Sequence, residues 1–128
     1  MHALFPSGSE ASAKSLNHSP GILSNGHIFV TGMTGSLPDG TMPDDPVTQF
    51  RTAFDKIRGV LQAAGSDTHA IVEMTSYHDS IQDHFDLFNK VRCSYVSDPF
   101  PAWTAVEVAA LRRPGALVEV RVIAAAET

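Results

Sequence analysis

The sequence predicts an α+β domain whose elements run β-β-α-β-α-β-β, a mixed sheet with two helices packed on one face. An Asn25-Gly26 pair between two short β-branched runs is the strongest short hairpin signal in the chain. Two segments, one after Asp44-Asp45 and one after Asp79-Ser80, repeat apolar residues every three or four positions, as amphipathic helices do. Between and after them, residues 71–77, 103–109 and 117–124 are dense in β-branched residues and read as strands. At 128 residues the chain makes a single domain, residues 1–128, large enough to bury a core.

Residues 1–20 are rich in Ser, Gly, Ala and Pro, and only Ala3-Leu4-Phe5 offers a short edge strand. Within them GSEASAKS narrowly resembles a phosphate loop. Ala13 stands at its second glycine and no parallel βαβ unit is expected around it, so it is not read as a phosphate site. Ile22 and Leu23 lead into the turn, residues 27–31 return, and the Gly/Pro-rich residues 32–46 form a loop. Asp44 or Asp45 caps the first helix, with Pro46 in its first turn, where a missing N–H loses nothing. Val47, Phe50, Phe54, Ile57 and Leu61 form its apolar stripe and Gly65 ends it. The second helix opens at Asp79 or Ser80, with Ser80 and Asp83 as a capping pair. It buries Ile81, Phe85, Phe88, Val91 and Tyr95 before Asp98-Pro99 and Pro101 stop it.

The last two strands flank a turn-like RRPGA segment and read as a hairpin. In the second, Val118, Val120 and Val122 share one face, and Leu117, Glu119, Arg121 and Ile123 the other. A carboxylate set among β-branched residues is costly on a covered face, so Glu119 needs a partner or a task. Right-handed crossovers put both helices on one side of the sheet. The other side is left bare, and apolar residues of both parities, Ile28 and Val30 against Phe29, predict oligomerisation through it.

A net charge of −5 argues against broad binding of nucleic acid or anionic membrane. The single cysteine, Cys93, forms no internal disulfide, and no long apolar segment is present, so a soluble cytoplasmic protein is expected. Cys93 beside Arg92 is read as a packed thiol. The six histidines form no i,i+4 pair and no HExxH motif exists, so no metal site is expected.

The ordered set HSPGILSNGHIFVTGMTGSLPDGT, QFRTAFDKIRGVLQAAGSD, HFDLFNKV, FPAWTAVEVAAL and ALVEVRVIA resembles the RidA/YjgF family nearly end to end, and PAWTAV resembles its YjgH-like branch. The resemblance implies a chorismate-mutase-like fold, a homotrimer without cofactor, and a small-molecule site between subunits. Relatives hydrolyse enamine or imine products; an older label is endoribonuclease or translation inhibitor. Carried over by position, Glu119 orients the water, while Gly32, Asn89 and His18, at a tyrosine position, line the site with Trp103 and Thr104. Trp103 stands where the family has a carboxylate-binding arginine. Indole carries one neutral donor and no charge, and losing such a clamp costs roughly 1.5–3 kcal/mol, which argues against 2-imino-acid deamination. A flatter, less acidic ligand held by stacking fits better.

Each residue also has a plainer reading. Trp103 packs a subunit interface, Glu119 pairs with Arg121 of a neighbour, Asn89 caps or braces a loop, and Gly32 serves backbone geometry. Three functions follow: a hydrolase of imines, enamines or related small metabolites with Glu119 positioning water, a non-catalytic small-molecule-binding trimer, and a ribonuclease. The acidic charge and the lack of a His/Lys catalytic cluster place the ribonuclease last.

Overall fold

The strands lie where the β-branched runs are. In the computed structural model, which describes residues 1–126, they are β1 (His2–Leu4), β2 (Gly21–Ser24), β3 (His27–Met33), β4 (Ile71–His78), β5 (Ala102–Glu107) and β6 (Val118–Ala125). The helices are α1 (Glu10–Ser15), α2 (Pro46–Ala63) and α3 (Ile81–Arg92). The expected order is kept, with β1 at the foreseen edge position. The short α1 is additional, formed by the segment with phosphate-loop likeness.

Asn25 and Gly26 both adopt positive φ, 50° and 76°, as a tight two-residue hairpin turn requires, and Ser24 pairs with His27. Asp45, not Asp44, caps α2. Its Oδ2 accepts from the Thr48 N–H at 2.9 Å and from the Thr48 hydroxyl at 2.8 Å. Gly65, at φ 74°, follows the last turn.

The expected final hairpin is not formed. The sheet order is β1-β2-β3-β6-β4-β5, so β4 separates β5 from β6. β5 pairs parallel with β4 through the α3 crossover, and β6 lies antiparallel between β3 and β4. Two crossovers leave β3 and β4 parallel with a gap one strand wide. Only β6 fills it, satisfying the backbone groups of both edges. The ten residues from 108 to 117 easily span the two strand spacings involved. They are tied to the end of β4 on both sides: Val108 N–H donates to His78 O at 3.0 Å and Asp79 N–H to Leu117 O at 2.9 Å.

The cap expected from Ser80 is also absent. Its backbone is left-handed at φ 55° and its side chain makes no capping bond. A side-chain cap needs an extended backbone there, which the two-residue link from β4 does not permit. Glu107 at the end of β5 serves instead, accepting from Ile81 N–H at 2.9 Å.

Alternation sorts the sheet into two faces. Ile28, Val30, Met74, Val118, Val120 and Val122 are buried beneath Phe50, Phe54, Ile57 and Leu61 of α2 and Phe88 and Val91 of α3. Phe88 sits at the hub, 5.3 Å from Phe50, 5.6 Å from Phe54 and 4.8 Å from His78 between ring centroids. Ile81, Phe85 and Tyr95, expected on the core face of α3, are only half-buried. On the opposite face a register-aligned row of Ala3, Ile22, Phe29 and Ile123 crosses four strands. Phe29 is 40 % exposed there.

Candidate functional site

A cleft of about 680 Å³ opens between the N-terminal arm, α2 and the β3–β6 strand pair. Its geometry starts with an irregularity. Val30 faces Val122 and Met33 faces Val120, so β3 carries one residue more than β6 between these pairs. This bulge brings Gly32 against the Glu119 side chain. A methyl group built on Gly32 would overlap the carboxylate and lie 2.8 Å from its Cδ. Gly32 has no positive φ, so it is the space that demands glycine, not backbone freedom.

Glu119 is half-buried on the open face of the sheet, opposite Tyr77 in register. It makes no hydrogen bond or ion pair with any described residue. His18 is exposed and lines the same cleft.

Three cations also line it: Lys56 of α2, and Arg112 and Arg113 of the 108–117 connection. The Lys56 ammonium donates to Ser36 O at 3.0 Å and Ser36 Oγ at 3.1 Å. Burial, and secondarily the Arg113 guanidinium, lower its pKa from 10.5 to about 8. The connection is held from beneath by Gln49, only 2 % exposed. Its amide nitrogen donates to Pro43 O at 2.8 Å and Gly115 O at 3.0 Å, while its carbonyl oxygen accepts from Leu117 N–H at 2.9 Å.

The other residues singled out from the sequence lie elsewhere. Trp103 faces the helix side at the β4–β5 edge, stacked on Phe85 with ring centroids 5.4 Å apart and 5° between the planes. Its Nε1 donates to Ser76 Oγ at 2.9 Å, and the same hydroxyl contacts His78 Nε2 at 2.8 Å. The Arg92 guanidinium lies 3.9 Å over the indole. Asn89 holds that guanidinium, its Oδ1 accepting from Arg92 Nε at 3.0 Å and from a terminal nitrogen at 2.9 Å. Thr104 is exposed on the open face, opposite Thr75. One chain therefore gathers Glu119, Gly32 and His18 in the cleft, while none of Trp103, Asn89 and Thr104 lines it. Cys93 is exposed rather than packed, a correction: it is the C-cap residue that follows α3.

Sequence reasoning overlooked Lys56, which sits beside Ile57 without disturbing the apolar stripe. It placed Arg112 and Arg113 only in the turn-like RRPGA segment. His78 was legible in principle, since the alternation Met74-Ser76-His78 carries it to the core face. Among the described residues no group of three or more His, Cys, Asp or Glu side chains could hold a metal ion. No helix is long and apolar enough to cross a membrane.

A small α+β domain with two helices across one face of a mixed sheet, and an unpaired carboxylate under a bulge glycine at its centre, has the chorismate-mutase-like architecture of the RidA/YjgF proteins. The chain belongs to that family: the sequence model described as Endoribonuclease L-PSP matches residues 9–126. It is 37 % identical to the RutC family protein YjgH of Escherichia coli K12, over 95 % of this chain and 92 % of that one. A solved structure described as Protein YJGH superimposes with a TM-score of 0.87 at 35 % identity, covering 99 % of this chain and 97 % of the other. A goat (Capra hircus) protein named 2-iminobutanoate/2-iminopropanoate deaminase is 33 % identical over 84 % of this chain and 78 % of its own length.

Proposed function

We propose that this chain is a hydrolase of imines, enamines or related small metabolites, with Glu119 as the group that orients and deprotonates water. The observation that carries this reading is the half-buried Glu119 carboxylate, unpaired beside Gly32 in a cleft of about 680 Å³. A carboxylate kept free of counter-ions in a concave site is available as a base. Water attacks the imine carbon, its proton passes to Glu119, the C–N bond breaks after nitrogen is protonated, and a carbonyl compound and ammonia leave. The name of the goat relative supports the reaction class.

The working unit in this reading is a homotrimer joined through the open sheet face, with the cleft completed by a neighbouring subunit. The apolar row on that face and the exposure of Phe29 and Val106 support it. Thr104, exposed on that face, would then approach another copy, while Trp103 and Asn89 stay on the helix side.

Imines generated in place from an amino-acid panel by an amino-acid oxidase, with ammonia release as readout, test the activity. Glu119→Gln is expected to lower turnover about a hundredfold or more, in the range typical of general acid–base groups. Equal turnover in wild type and Glu119→Ala would refute the assignment, and light scattering at one chain mass would refute the trimer. A second reading, a trimer that binds small molecules without turnover, is favoured by one observation. Trp103 is occupied by Phe85, Ser76 and Arg92, so the family's arginine position presents no free charge. Ligand-dependent thermal shifts without consumption of the ligand distinguish it.

A further inference from the structure

The cleft around Glu119 carries a local excess of positive charge in a chain whose formal net charge is −5. Lys56 is the informative member. Its ammonium is fixed by two neutral acceptors, the carbonyl and hydroxyl of Ser36, and no carboxylate of a described residue pairs with it. The ion pairs among the described residues, Lys14–Glu10 and Arg58–Asp67, lie elsewhere. Of the acidic residues lining the cleft, Asp55 is engaged by the Tyr95 hydroxyl at 2.7 Å, and Glu119 lies beyond ion-pair distance of all three cations.

A half-buried ammonium near a guanidinium, with no counter-ion, is electrostatically incomplete. The Lys56 ammonium is nevertheless braced, and so is the backbone that carries the exposed Arg113. Ser36 is buried and receives the Thr34 hydroxyl at 3.2 Å, so the Lys56 anchor is itself fixed. Arg113 opens a turn closed by Ala116 N–H on Arg113 O at 3.2 Å, just ahead of the two positions that Gln49 holds. A braced ammonium without a counter-ion, beside a guanidinium on an anchored backbone, fits an oxyanion, which supplies the missing charge and accepts from both.

We propose that Lys56 and Arg113, with Arg112 beside them, form an oxyanion subsite that takes the carboxylate or phosphate of an anionic small-molecule substrate whose reacting carbon faces Glu119. This rests on the reading of the cleft as a hydrolase site and names the substrate class. The charge that Trp103 cannot offer comes from α2 and the 108–117 connection. The anionic end of the ligand is therefore held by the same chain that carries the base.

Calorimetric titration at fixed ionic strength and pH 7 tests this with three probes: inorganic phosphate, pyruvate and malonate. The wild type, Lys56→Met, Arg113→Gln, Glu119→Gln and Arg51→Gln, an exposed position outside the cleft, are compared. Saturable binding of at least one probe is expected, about tenfold or more weaker in Lys56→Met and Arg113→Gln and unchanged in Arg51→Gln. Glu119→Gln is expected to tighten it, because a like charge is removed. Lys56→Arg, which keeps the charge, should recover part of the affinity and controls for a folding defect. Preference for pyruvate or malonate assigns a carboxylic acid; preference for phosphate assigns a phosphorylated substrate. No saturable binding, or equal affinity in Lys56→Met, Arg113→Gln and wild type, overturns the subsite. The two assignments fail separately. Turnover that depends on Glu119 but keeps its KM in Lys56→Met sinks the subsite alone. Binding that depends on Lys56 without Glu119-dependent turnover sinks the hydrolase alone.

Discussion

Replacing Gln49 by leucine isolates the one side chain that joins three segments. Gln49 is 2 % exposed and uses its amide for three hydrogen bonds of 2.8, 3.0 and 2.9 Å, to Pro43, Gly115 and Leu117. Leucine keeps most of the volume and removes every bond. Each lost bond is worth about 1 kcal/mol, and the Leu117 N–H, left without this acceptor, adds about 1–2 kcal/mol more. Leucine recovers about 1 kcal/mol through its apolar surface, so a net loss of about 3–4 kcal/mol is expected. That is a large part of the stability of a domain this size and corresponds to roughly 10–15 °C in Tm. Thermal melts followed by circular dichroism measure it, and amide exchange at Leu117 should speed up in parallel, since Gln49 is its acceptor. A Tm within about 2 °C of wild type would refute the reasoning, as would slow exchange at Leu117 in a destabilised variant.

The remaining predictions concern the site and its charges. Gly32→Ala pushes against the flexible end of Glu119, not against backbone, so stability should fall by about 1 kcal/mol or less while turnover drops at least tenfold; melting curves and initial rates separate the two. His78 is buried and its pKa lies near 4, lowered from 6.5 by burial and then by His84. Its neutral form is favoured by folding, so its contribution is present above pH 6.5 and lost as pH falls toward 4. Denaturant midpoints should show this decline, and His78→Phe, which cannot titrate, should flatten it. Lys56, at about 8, is charged below that pH and neutral above it. Oxyanion affinity should therefore weaken as pH rises through 8, and Lys56→Arg should move the loss higher; Asp55, Arg112, Arg113, Glu119 and His18 are the other charged or titratable groups lining the cleft.

Local signals carried the elements. Asn25-Gly26, Pro46 after its aspartate cap and the Phe50–Phe54–Ile57–Leu61 spacing act within a few residues of themselves, so the hairpin and α2 were legible directly. The alternation of Val118, Val120 and Val122 likewise set Glu119 on the other face from the valines, and the packing of α2 and α3 made the valine face the core. Its place under Gly32 was half legible. Both residues could be matched to a family, but the bulge that brings them together depends on where β6 pairs.

That pairing only the tertiary structure decided. Two β-rich runs joined by a turn satisfy every local rule for a hairpin, yet β6 gains two partners by entering the gap between β3 and β4, and β5 follows α3 to the edge. The same non-local choice separates Trp103 from Glu119 within one chain and draws Lys56 and Arg113 together from 57 positions apart in number. Spacing along a chain determines which residues share a face. Which faces meet is determined by the backbone edges and apolar surface left over once the local elements have formed.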